Sequence, residues 1–237
     1  MHPPGELLAS GRDADIFEYG PGLVLRRTRD GRSLALEART MEYLATQGYP
    51  VPVVHELSDD STEMVMDRVD GPSLLGALSR RPWQITSLAS VLADLHHRLH
   101  EVQPAPFLPA APVGTGDRIV HLDLHPLNVI LGPNGPVVID WTGASIGDPN
   151  ADVAVAWTLM AAGAIPAGRA MRTVLGWGRA MLVRSFVSHF DRAVVAGELR
   201  EVVTWKVNDP HMAESEVKSM WDLVEREESR SSRDQVR

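Results

Sequence analysis

Apolar and polar positions change rhythm partway along the chain. Ile16-Phe17-Glu18-Tyr19 and Leu23-Val24-Leu25-Arg26-Arg27 are strand-forming runs separated by the turn Gly20-Pro21-Gly22. Arg29-Asp30-Gly31 ends the second run. From Leu34 to Ala45 the apolar residues Leu34, Ala38, Met41, Leu44 and Ala45 recur at helical spacing, with Ser33 as the expected N-cap. Pro50–Val54 returns to extended chain, Glu63-Met64-Val65-Met66 is a further strand, and Asp70-Gly71-Pro72 breaks it. Beyond Ser73 the pattern turns helical. Leu74–Leu78 and Ile85–Leu99 predict helices, the second with Leu88, Val91, Leu92 and Leu95 on one face.

A proline-rich loop, Pro104–Pro112, leads to two short segments, Ile119–Asp123 and Val137–Trp141. Between them Asn128–Leu131 and the turn Gly132-Pro133-Asn134-Gly135 read as half of a hairpin. Ala151 to about Glu228 is mostly helical, with breaks near Gly163–Gly168 and Asn208–Pro210. Ser229–Arg237 is polar and charged and reads as a disordered tail. The expected fold class is α+β. A small β-rich lobe with one helix (1–67) and a larger, mainly helical lobe (68–228) meet near Asp67–Gly71, as in enzymes that work in a cleft.

Composition narrows the function. The 237 residues carry 31 acidic and 23 basic side chains, a formal net charge of −8, which argues against a nucleic-acid partner. The absence of cysteine removes disulfides, thiolate nucleophiles and cysteine zinc sites, while nine histidines leave a histidine metal site open. No signal peptide is visible at Met1–Gly5. The longest apolar stretch, Val153–Ala167, is interrupted by Thr158 and Pro166 and falls short of the about 20 residues a bilayer requires. A cytoplasmic protein without a membrane partner is expected. Lysine occurs only at Lys206 and Lys218, so arginine must do any earlier work usually given to lysine.

The chemical signal lies in His121-Leu122-Asp123-Leu124-His125-Pro126-Leu127-Asn128 and in Ile139-Asp140-Trp141. Two acids and a carboxamide flank one small hairpin. Phosphoryl transfer calls for such a set: a carboxylate beside the acceptor hydroxyl, and oxygen ligands for magnesium on a triphosphate. Taken singly, Asp123 and Asn128 are also ordinary turn residues.

The string resembles the H-x-D-x-x-x-x-N catalytic loop of the protein kinase-like fold, in the form found in small-molecule kinases of the aminoglycoside phosphotransferase (APH)/choline kinase-like family. His125 stands where protein kinases carry lysine. Trp141 follows the second aspartate in place of Phe-Gly. Gly147-Asp148-Pro149-Asn150-Ala151-Asp152-Val153-Ala154 is similar to that family's G-D-P-x-x-D-[LV]-A string, and no A-P-E sequence or long activation segment follows Asp140. The likeness runs from about Gly11 to Ala154.

The resemblance implies an ATP- or GTP-dependent phosphotransferase acting on a hydroxyl of a small molecule. Asp123 would be the base, and Asn128 and Asp140 the magnesium ligands. Arg26 stands where the family's phosphate-contacting lysine would be, and Glu37 where its helix partner would be. Met64–Asp67, with Met66 and Asp67 foremost, would be the hinge that receives the adenine. Gly11–Asp15 would be a shortened nucleotide-covering loop. His121 and Asp148 are expected to support the site, Asp148 as a helix N-cap, and Asp152 to tie its helix to the catalytic loop; His125 either faces phosphate or packs. Leu122 and Leu127, where many relatives have glycine, are neutral to the chemistry if they point into the core; Trp157 and Trp177 are expected in the core. His96, His97 and His100 are read as a helix edge without metal. The alternative is a catalytically silent nucleotide- or ligand-binding regulator, suggested by the arginine at 26 and the short loop. Aminoglycoside, macrolide, amino alcohol and metabolite acceptors all stay open, as does the oligomeric state.

Overall fold

Glycine at two positions lets the first long hairpin form. Gly20 (φ 99°) and Gly22 (φ 74°) take the left-handed conformations that turn strand β2 (Ala14–Glu18) back along β3 (Leu23–Thr28). The computed structural model describes residues 1–11, 13–163, 169–209 and 212–235. With β1 (Leu7–Ser10), β4 (Val54–Leu57) and β5 (Glu63–Asp67), the hairpin forms an antiparallel sheet in the order β1-β2-β3-β5-β4. Side chains alternate along β3. Val24, Arg26 and Thr28 are buried on the face toward helix α1 (Ala35–Thr46), while Leu25 packs with Tyr19 and Val65 on the other face. Arg27 points away from Arg26 and pairs with Glu63.

Three details of this half depart from the sequence reading. β1 lies at the sheet edge with all four residues exposed, so no alternation betrays it. Pro50 and Pro52 have no N–H to give a ladder, and pairing starts only at Val54. Leu34, buried under the sheet, takes the N-cap position of α1; Ser33 stands one residue earlier, where its Oγ accepts from the Ala35 amide at 3.2 Å.

The second half begins with α2 (Leu74–Arg80), capped by Ser73, and α3 (Ile85–Glu101). Two small antiparallel pairs follow. β6 (Arg118–Val120) pairs with β9 (Ser145–Gly147), and β7 (Val129–Gly132) forms a hairpin with β8 (Gly135–Val138). Three-residue β9 is too short to show a pattern in sequence. Helix α4 (Pro149–Ala162) is buried on nearly every face and packs against α5 (Arg169–Val187), α6 (Arg192–Lys206) and α7 (Glu214–Gln235). Its lack of a polar stripe is what a central helix requires.

The tail expected from Ser229 is instead the end of α7, helical through Gln235. Propagating a formed helix through Glu, Arg and Ser costs little, and Arg192–Glu227 and Arg200–Glu228 ion pairs anchor the preceding turns to α6. Of the two tryptophans expected in the core, Trp157 is buried and Trp177, on α5, is 75% exposed. The expected break near 163–168 coincides with the end of α4 at Gly163, its remainder lying outside the described residues, as does Pro210. Among the described residues no helix is long and apolar enough to cross a membrane.

One apolar cluster runs from Val24, Met41 and Met64 through Leu92 and Val129 to Trp157 and Phe186, so both halves share a core. They are also joined by backbone. The Leu131 amide donates to the Pro72 carbonyl and the Val138 amide to the Pro50 carbonyl, both at 2.9 Å. A side chain at Gly71 would collide with the Leu131 carbonyl, so only glycine allows this close approach. The cleft opens between the sheet and the β7–β8 hairpin.

Candidate active site

The loop His121–Asn128 joins β6 to β7, and a single buried carboxylate holds its base. Asp152, in the first turn of α4, accepts the amides of Leu122 (2.7 Å) and His121 (3.2 Å) on Oδ1. Its Oδ2 accepts His100 Nε2 at 2.9 Å and faces His96 Nδ1 at 3.5 Å. Burial alone would push the Asp152 carboxyl up, but the hydrogen bond from His100 and the His96 ring beside it win and hold it far below the usual carboxylate range. His96 Nε2 in turn donates to the Leu124 carbonyl (3.1 Å), so α3 grips the loop at a second point. The ligand atoms of His96, His100 and Asp152 lie within 4.8 Å of one another, yet both Asp152 oxygens already accept hydrogen bonds. The trio is a buttress. Leu122 adopts φ 60°, a left-handed backbone that this two-amide grip enforces.

His121 is fully buried beneath the loop, donating Nε2 to the Ile139 carbonyl (3.1 Å) and packing on Trp141 at 4.5 Å. Asp148 caps α4, its Oδ1 accepting the Asn150 amide at 2.8 Å. His125 is pushed by burial toward its neutral form. Leu122 is buried, whereas Leu127 is 54% exposed, because alternate loop residues face opposite sides.

Above this base the polar groups converge. Asn128 Nδ2 donates to Asp123 Oδ2 (2.8 Å) and to the Asp123 carbonyl (2.9 Å). The Asn128 carbonyl accepts the Ile139 amide (3.0 Å), which sets Asp140 beside the loop. Asp140 also has a left-handed backbone, φ 67°. From the sheet, Arg26 Nη2 donates to Asp140 Oδ1 at 3.0 Å and lies 3.5 Å from Glu37 Oε2. Burial would raise the Asp140 carboxyl, but adjacent Arg26 overrides it and holds the group below its ordinary value. Glu37 lies deeper, and burial outweighs Arg26 there, raising its carboxyl to about 7.

Arg26, Glu37 and Asp140 border a cavity of about 780 Å³ that Val24, Met66 and Ile130 also line, while Asp123 and Asn128 lie outside its lining. Met66 faces the cleft. Asp67 borders it too; its amide donates to the Val53 carbonyl and its carboxylate accepts from His55 Nε2 at 2.7 Å. Val69, passed over in the sequence, lines the same hollow one step further along the hinge. Also missed was the approach of Lys206 from the end of α6. Its Nζ lies 3.7 Å from Asp123 Oδ1, and no local motif signals a contact spanning so much chain.

With the geometry described, the comparisons acquire meaning. A family model described as phosphotransferase enzyme family (APH) matches residues 5–115 and 105–184. Among solved structures, a choline/ethanolamine kinase family protein from Mesorhizobium loti is 15% identical over 94% of this chain and 88% of its own, with a TM-score of 0.60. The aminoglycoside phosphotransferase APH(2'')-Ib, solved with ADP, is 16% identical over 93% and 92%, with a TM-score of 0.59. An aminoglycoside-3'-phosphotransferase of type VIII is 20% identical over 94% of both chains, with a TM-score of 0.56. At these identities the likeness shows a shared fold, the two-lobed protein kinase-like architecture. No curated protein matches.

Proposed function

Because the chain belongs to the phosphotransferase enzyme family (APH), we propose that it is a cytoplasmic small-molecule kinase that moves the γ-phosphoryl group of ATP to a hydroxyl of its acceptor. The reading is supported above all by one chain of contacts: Asn128 holds Asp123, its backbone carbonyl takes the Ile139 amide next to Asp140, and Arg26 donates to Asp140 from the sheet.

Asp123 is the base. The Asn128 amide pins one of its oxygens, which leaves Oδ1 to accept the proton of an acceptor hydroxyl. Positioning matters more than reactivity here, because phosphoryl transfer is accelerated mainly by alignment and by charge stabilisation. Arg26 remains charged at any working pH and donates to phosphate oxygens, replacing the usual lysine with a planar fork. Glu37 and Asp140 hold that fork in the cleft. Met66 and Val69 receive the base of the nucleotide, and ATP and GTP are separated by the groups on that edge.

Asn128 and Asp140 would hold magnesium. They fit because Asn128 spends its amide nitrogen on Asp123, turning its oxygen away toward a cation, and because amide and carboxylate oxygens are the donors this ion prefers. When bound, the ion supplies positive charge to the triphosphate.

The acceptor belongs to the hydroxyl compounds represented among the structural neighbours, aminoglycosides and amino alcohols foremost. Purified protein is to be incubated with ATP, magnesium and a panel of aminoglycosides, macrolides, amino alcohols and metabolite alcohols. At least one phosphorylated product is expected. Asp123→Ala should lower its turnover by about 10²–10⁴-fold with nucleotide affinity unchanged in a calorimetric titration. Nucleotide binding with no product from any compound would replace the kinase by a silent regulator.

A further inference from the structure

The charge balance around Asp123 carries one inference more, and it rests on the kinase reading. Lys206 is one of two lysines in the chain, with Lys218, and it ends α6 against the catalytic loop. Its side chain is 15% exposed, and its ammonium sits 5.3 Å from the Trp205 ring centroid and 3.7 Å from Asp123 Oδ1. Since Asn128 occupies Oδ2, Oδ1 is where an acceptor hydroxyl docks, and Lys206 flanks that place. The loop position that is lysine in protein kinases holds His125. Its Nδ1 is buried without a hydrogen-bond partner. Arg26 is engaged by Asp140 and Glu37. Among the described residues no other lysine or arginine is ion-paired with Asp123.

We propose that Lys206 is the cation that neutralises the transferring phosphoryl group, supplied by α6 in place of a lysine on the catalytic loop. In the step, the acceptor hydroxyl gives its proton to Asp123 and its oxygen forms a bond to the γ-phosphorus. The bond from that phosphorus to the β–γ bridging oxygen breaks, and the electron pair leaves with ADP. Asp123 passes from carboxylate to neutral acid, so its hold on the ammonium lapses as the phosphoryl oxygens arrive beside it. A cation that changes partners in this way stabilises the transition state more than the ground state.

The test needs no acceptor. ADP with magnesium, alone or with aluminium fluoride as an anionic mimic of the phosphoryl group in flight, is titrated into the full chain, Lys206→Met and Lys206→Arg. All three should bind ADP alike. Aluminium fluoride should tighten binding to the wild type, Lys206→Met should lose about 10²-fold of that tightening, and Lys206→Arg should recover part of it. Equal tightening in Lys206→Met, no tightening in a wild type that binds ADP, or an equal loss of ADP affinity in Lys206→Met overturns the role and leaves the kinase reading standing. A wild type that binds no ADP removes both.

Discussion

Beneath the loop His121–Asn128, the Asp152 carboxylate accepts two backbone amides and His100 Nε2, in surroundings that exclude solvent. Across the cleft, Arg26 lies between Asp140 and Glu37 at 3.0 and 3.5 Å, and Asp140 is one-third exposed. The first arrangement is a set of directional bonds, with both Asp152 oxygens accepting, so the foot of the loop is held rigidly. The second is a row of charges, two acids to one guanidinium, whose balance a ligand can redistribute. The proposed kinase would use both: a fixed loop for alignment, and a cation that can exchange carboxylate for phosphate.

The largest effect should come from breaking the rigid side. Asp152→Ala strands two amides and two imidazoles in the core, and a loss of about 3–5 kcal/mol is expected in urea unfolding. A loss near zero would mean that the loop is held by something else.

On the charged side the expected signature is a pH dependence. The Glu37 carboxyl is raised to about 7 in the fold from an ordinary 4.5, so the folded state binds its proton more tightly than the unfolded chain. Its contribution to stability is therefore complete below about 4.5 and is lost as pH climbs through 7, amounting to about 3 kcal/mol at most. Glu37→Gln should flatten this part of the curve. Denaturant midpoints measured from pH 4 to 8 test it, and parallel curves for the two proteins would reject the charge-balance account.

The smallest effect sharpens the contrast within the rigid side itself. Leu122→Gly relieves a left-handed backbone, a gain of about 1–2 kcal/mol, but empties a buried leucine site worth about 2–5 kcal/mol. Packing should win, with a net loss of about 1–2 kcal/mol in the same unfolding assay. A more stable variant would show that strain, rather than packing, dominates the loop.

Much of the fold was legible where it depended on neighbours in sequence. Strands β2, β3 and β5, helices α1 to α3 and the β7–β8 hairpin follow from alternation, helical spacing and turn residues, within a residue or two. The string His121–Asn128 and Asp140 marked the candidate site for the same reason. Elements without local contrast were not legible. β1 is wholly exposed, β9 is three residues long, and the end of α7 is polar on every side, so none has a buried face to write into the pattern. Trp177 shows the converse: an apolar side chain says nothing by itself about whether a neighbour will cover it.

The residues alone carried the chemical groups of the protein, the conformation of the strongly patterned strands and helices, and the likeness of His121–Asn128 to a known family. Those properties arise from residues a few positions apart, where peptide geometry limits the choices. Only the tertiary structure decided that His96 and His100 support Asp152, that Arg26 is shared between Asp140 and Glu37, and that Lys206 meets Asp123. Each of these pairings depends on how α1, α3, α4 and α6 pack around a common core, and no spacing along the chain encodes the distance between groups that only packing brings together.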